Sequence, residues 1–174
     1  MEKQAIFNSL QNEVNAVVKS VENISDTHFF QQPYPEKWSI GQHIQHLIQS
    51  SKPLVSLFGK PELMNQWAKS DRTSRNYDEV KTLYLNALQT PPPFLMVYRH
   101  VDTEGSKEEI LGNIISITEK LIARASNMSQ ADLDAYQIPH PLLGLLTAGE
   151  FLHFTAFHTQ HHYGAIDKMI EPFS

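Results

Sequence analysis

Nine histidines in 174 residues are the compositional oddity of this chain, and their spacing matters more than their number. His158 and His162 stand four residues apart. Positions i and i+4 of a helix share a face and lie about 6 Å apart along its axis, so two imidazoles on one rigid element can converge on one ion. His161, three residues from His158, can take the place of His162 in such a pair. His153 points about 140° away from His158 on the same helix and falls outside that site. Further upstream, His43 and His46 are three residues apart and about 60° apart around a helix. His46 is flanked by Leu47 and lies two residues from both Ile44 and Ile48, at the edge of an apolar stripe. A third imidazole from such a facing helix would complete a three-ligand site with positions left open for water or substrate. That open coordination is what catalytic zinc sites keep and structural ones close. His28, His100 and His140 have no spaced partner and read as loop residues.

The elements that must carry these side chains follow from apolar periodicity and capping signals. Ile6, Leu10, Val14, Val17, Val21 and Ile24 trace one stripe of an amphipathic helix, which Ser25 and Asp26 punctuate. Pro33 and Pro35 make a stiff extended link. Ser39-Ile40-Gly41-Gln42 has the S-x-x-Q form of a capping box and opens a second helix bearing His43 and His46. Pro53 either kinks or ends that helix. Residues 59–76 show little periodicity and read as a long irregular connection. A third helix fits Tyr77 to Gln89, stopped by Pro91-Pro92-Pro93. Ser106-Lys107-Glu108-Glu109 and Thr147-Ala148-Gly149-Glu150 are two more capping boxes. They open a fourth helix and a last one, which carries His158 and His162 toward Pro172. The segment from Ser129 to Leu146 reads as a loop, since the apolar run Leu142–Leu146 is too short and too close to the next cap for a strand. Long helices around one apolar interior imply an all-α four-helix bundle with long connecting loops, one domain over residues 1–174.

Composition bounds the partners. The net charge is -5 with no run of Lys or Arg, so nucleic acid is an unexpected partner. No stretch approaches 18 uncharged apolar residues, which argues against a membrane span, and the start MEKQAIFNSL lacks a signal-peptide core, which favours a cytoplasmic protein. There is no cysteine. A thiolate ligand or Cys nucleophile from the chain itself is therefore excluded. Trp38 and the Phe residues read as core.

Two segments carry a resemblance to a known family. Lys37-Trp38-Ser39-Ile40-Gly41-Gln42, followed by His46-Leu47, resembles the second-helix signature of the DinB-like superfamily. His158-Thr159-Gln160-His161-His162-Tyr163-Gly164-Ala165-Ile166 resembles its last-helix signature, H-x-x-H-H followed by a small and an apolar residue. Pro139-His140-Pro141-Leu142-Leu143-Gly144 and Thr147-Ala148-Gly149-Glu150-Phe151 resemble the loop and helix start of many members. The resemblance implies a four-helix-bundle core, often a homodimer, and one divalent ion, zinc or nickel, held by His46, His158 and His162. It also implies metal-dependent chemistry on a small-molecule substrate: hydrolysis, or transfer by a low-molecular-weight thiol, as in bacillithiol transferases and mycothiol-dependent isomerases. A bound metal lowers the pKa of a water or a thiol, and a chain without cysteine must take its thiol from a cosubstrate. Glu150, Gln160 and Tyr163 are candidates to handle protons or support the ligands by proximity in sequence, and His43 and His161 to orient neighbours or line the pocket. The catalytic residues stay unassigned. The competing reading is a non-catalytic, dimeric, stress-associated metal-binding bundle.

Overall fold

A computed structural model describes residues 3–64, 66–90 and 101–171. Helix α1 (Lys3–Val21) buries the predicted stripe of Ile6, Leu10, Val14, Val17 and Val21. A short α2 (Asp26–Phe30) follows, with the Ser25 hydroxyl accepting from the His28 N–H at its start. A five-residue helix carries too few periods to register as a pattern, so Ser25 is a helix cap where its sequence context shows only a break. Helix α3 (Ile40–Phe58) begins at the Ser39–Gln42 capping box and runs through Pro53. Pro53 is exposed, so the carbonyl it leaves unpaired faces water and the helix neither ends nor loses a buried bond there. Gly41 lets α3 start against α2, since a Cβ there would stand 3.0 Å from the Phe29 ring.

The connection from 59 to 76 contains one turn of helix, α4 (Pro61–Met64). Helices α5 (Tyr77–Gln89) and α6 (Lys107–Ser126) each open on a full capping box, at Asn76–Glu79 and Ser106–Glu109. The Pro91–Pro93 run, His100 and Pro172 lie outside the described residues. Helix α7 (Gln130–Ala135) and an antiparallel hairpin, β1 (Gln137–His140) with β2 (Gly144–Thr147), lead into α8 (Ala148–Ile170). The loop expected over Ser129–Leu146 is therefore corrected to a helical turn and a hairpin. Four-residue strands are too short for alternation to show. Their turn is held by Gly144 in the left-handed region, φ 70°. His140 Nδ1 also accepts both the Leu142 and Leu143 N–H groups, each at 3.1 Å.

The four long helices form the bundle. α1 and α3 each pack against both α6 and α8, while α5 covers α8 from outside. Cations tie neighbouring helix ends together. Lys107, buried at the start of α6, donates to the Glu22 and Ile24 carbonyls beyond α1. Lys3, at the start of α1, donates to the Ser126 and Met128 carbonyls at the end of α6. Arg124 reaches the Val55 carbonyl in the last turn of α3. Each charge lies at the negative end of a helix, where carbonyls lack a full set of intrahelical partners; the Val55 carbonyl accepts from the Gly59 N–H as well as from Arg124.

Glu150 closes the other end. Its fully buried carboxylate accepts from Arg72 at 2.5 and 2.8 Å, from the Arg75 N–H at 2.6 Å and Nη1 at 3.3 Å, and from the Thr147 N–H at 2.9 Å. This clamps the 70–76 segment to the start of α8. Burial alone would raise the carboxyl pKa; the hydrogen bonds from Arg72, Arg75 and Thr147 override it and hold the group ionised. Removing the carboxylate strands two guanidinium groups, so Glu150→Ala should lower stability by about 3 kcal/mol. Urea unfolding measures it; a loss under about 1 kcal/mol would contradict the clamp.

Candidate metal centre

Packing of α3 against α8 brings His46 to His158 and His162. His158 Nε2 lies 3.2 Å from His46 Nε2 and 3.0 Å from His162 Nε2. The three potential ligand atoms all fall within 4.8 Å of one another. His158 and His162 are buried and His46 is half-buried.

Protons alone do not satisfy this arrangement. A neutral imidazole nitrogen carries either one N–H or one lone pair, so His158 Nε2 makes one good hydrogen bond to one neighbour. The other contact then sets two like groups face to face. A single cation accepts all three lone pairs at once. Nitrogens bound tetrahedrally at 2.0–2.1 Å stand about 3.3 Å apart, close to the two spacings that His158 makes. The donor set thus fits a divalent ion, and three imidazoles leave a fourth position open.

The surroundings keep the rings neutral. Burial pushes His46 down from 6.5 to about 4, and His158 and His162 well below their ordinary value. Burial, with the His46 and His161 rings nearby, also takes His43 to about 4. His43 Nδ1 lies 2.8 Å from His162 Nδ1. If His162 presents its Nε2 lone pair, its Nδ1 carries the proton and donates to His43, which fixes ring orientation. Aromatic rings pack the rest. Trp38 stacks on His162 at 5.8 Å and tilts over His46 at 4.9 Å; Phe154 stacks on His158 at 5.0 Å; Tyr84 meets His158 and His161 edge-on. Trp38, expected to be core, is half-buried and shapes the site, a role that only its three-dimensional neighbours reveal.

An open groove of about 1420 Å³ reaches the cluster from the His43 and His162 side. Trp38, Tyr34 and Phe157 supply its aromatic surface, and Lys37 and Lys168 its positive charge. His161 is exposed in that groove and not among the three convergent rings. Gln160, also exposed there, bonds to Tyr77 and Glu13, and Tyr163 packs half-buried against the core. Glu150 is eight residues, about 12 Å of helix, from His158, with both oxygens engaged by the clamp, so it does not face the cluster. His153 is buried on another side of α8, beside Tyr77.

The model of the DinB superfamily matches residues 10–166. The chain belongs to the DinB superfamily. No curated protein matches it. Among solved structures it is similar to YfiT from Bacillus subtilis, described as a probable metal-dependent hydrolase with an unusual four-helix bundle topology. The TM-score is 0.62 at 17% identity, covering 99% of this chain and 87% of YfiT. It is also similar to the colibactin self-resistance protein ClbS, solved in complex with double-stranded DNA. There the TM-score is 0.61 at 15% identity, covering 97% of this chain and 95% of ClbS. The ClbS complex corrects the expectation that nucleic acid is excluded, because a protein of this fold holds duplex DNA. Net charge is a sum over the chain and does not fix the potential of one face. Here the groove pairs Lys37 and Lys168 with Glu36 in a chain of net charge -5. Among the described residues no helix is long and apolar enough to cross a membrane.

The buried histidines set a pH dependence. His43, His46 and His140 fall from 6.5 to about 4 on folding, so the unfolded chain takes up protons first as pH drops. Their contribution is complete above pH 6.5 and is lost as pH falls toward 4. The urea midpoint of metal-free protein should therefore decline through that window; a flat profile would contradict neutral burial.

Proposed function

We propose that this protein is a metal-dependent enzyme acting on small molecules, with His46, His158 and His162 holding one divalent ion, zinc or nickel. The observation that carries the reading is the convergence of three Nε2 atoms, from two buried rings and the half-buried His46, with contacts of 3.0 and 3.2 Å beside an open groove. A divalent ion held there supplies a Lewis acid that acidifies a water or a thiol delivered to it. The residues of the chain do the rest. The His43–His162 contact holds one ligand ring in a single tautomer. Trp38 and Phe154 fix the ring planes from either side and keep bulk water away. Trp38, Tyr34 and Phe157 offer apolar surface to a substrate, and Lys37 and Lys168 favour one carrying negative charge.

Hydrolysis is the reaction we favour, in line with the description of YfiT. Thiol-dependent transfer is the second reading, favoured by the absence of cysteine: a sulfur nucleophile must arrive as a cosubstrate. The same reading includes a homodimer, as the family resemblance implies, working in the cytoplasm. The test is turnover by protein loaded with zinc or nickel. One arm uses chromogenic esters and amides; the other uses an electrophile with bacillithiol, glutathione or cysteine. Turnover in either arm should vanish on His158→Ala, and the active arm names the reaction. Turnover unchanged by His158→Ala, or absent from both arms, would sink the enzymatic reading.

A further inference from the structure

A second cleft, of about 660 Å³, lies on the side of α8 turned away from the three histidines. Its floor is His153, which is five residues from His158 and about 140° around the helix. Arg72, Thr73, Ser74, Arg75 and Lys3 are among its other walls. Three features set it apart from an ordinary surface hollow.

His153 is 5% exposed, and its ring nitrogens have no hydrogen bond among the described residues. It meets Tyr77 edge-on through its ring at 6.1 Å, which satisfies neither nitrogen. No sealed side-chain nitrogen or oxygen lacks a partner among the described residues, so the His153 ring brings its polar edge to the surface, where it lines the cleft.

The Arg75 guanidinium beside it is only partly engaged. An ionised carboxylate has about four acceptor sites, yet five N–H contacts converge on Glu150. The Arg75 Nη1 contact, at 3.3 Å, is the longest of them. Arg75 is thus held loosely by a carboxylate already saturated by Arg72 and two backbone groups. Its remaining guanidinium N–H groups bond to nothing among the described residues, and its side chain is 33% exposed. Two guanidinium groups share one carboxylate there, and the Lys3 ammonium adds positive charge against Asp134 on the same wall.

The anchoring is also rigid. Glu150 and the Ser74 hydroxyl, 2.5 Å from that of Thr147, pin the cationic segment to α8. Donors whose positions are fixed before a ligand arrives cost little to order on binding.

We propose that this cleft binds the oxyanion group of a small molecule, a carboxylate or a phosphate. Arg75 provides the charge, and His153 a hydrogen bond from the floor. A planar guanidinium with free N–H groups matches either oxyanion in a two-pronged manner. The site is separate from the metal centre and does not depend on the enzymatic reading.

Calorimetric titration of the intact protein with inorganic phosphate and with citrate, at constant ionic strength, tests the proposal. Saturable binding of at least one probe is expected, weakened about tenfold or more by Arg75→Gln and by His153→Gln, each checked for native circular dichroism. His162→Ala should leave it unchanged. Phosphate alone, citrate alone or both distinguish the two oxyanion classes. No saturable binding of either probe up to about 10 mM would overturn the site. So would binding that both substitutions leave intact, or binding lost in His162→Ala, which would place the anion at the histidine cluster.

Discussion

A neutral imidazole offers one N–H and one lone pair, and His158 points a single Nε2 at two other Nε2 atoms, 3.0 and 3.2 Å away. Burial keeps all three rings from taking a second proton, because a charged imidazole in that setting loses its hydration without gaining a carboxylate partner. Three lone pairs held this close in a shielded place stabilise one another only through a shared cation. Much of the rest of the molecule is arranged to hold that convergence.

Holding it falls to the contact between α3 and α8. His46 comes from α3, and the other two rings come from one face of α8. Any slide of one helix along the other would therefore part the set. Lys3 and Lys107 tie α1 to α6, and Arg124 ties α6 to α3, through carbonyls at the helix ends, so α3 is held within the bundle that α8 packs against. Glu150 locks the start of α8 to the 70–76 segment through Arg72 and Arg75. Polar groups thus set the register of the bundle, while the apolar interior supplies the driving force. The rings around the cluster are positioned by the same contact, with Trp38 arriving from the stretch just before α3 and Phe154 from α8.

Much of this was readable from the chain. Capping boxes at Ser39, Ser106 and Thr147 mark the starts of α3, α6 and α8, because the hydroxyl and the glutamine or glutamate three residues on satisfy orphan N–H groups locally. The four-residue spacing of His158 and His162 is likewise a local fact. What was not readable depends on distant partners. The hairpin at Gln137–Thr147 relies on His140 accepting from its own turn and on pairing that four-residue strands do not announce. Glu150 sits in the sequence like a site residue, and only Arg72 and Arg75, more than 70 positions away, reveal a clamp. Trp38 read as core because an aromatic residue in a motif carries no sign of which ring it will face. The exclusion of nucleic acid failed for a related reason: net charge holds no information about one face.

Imidazole nitrogens from two helices are the proposed ligands of one ion, on a fold that YfiT and ClbS share. The most direct check is metal content with X-ray absorption at the metal edge, on untagged protein and its single histidine variants. One ion per chain with three imidazole scatterers at about 2.0–2.1 Å is expected, lost for the most part in His162→Ala and kept in His153→Ala. A protein that takes up no zinc or nickel, or loses metal equally in both variants, would contradict it.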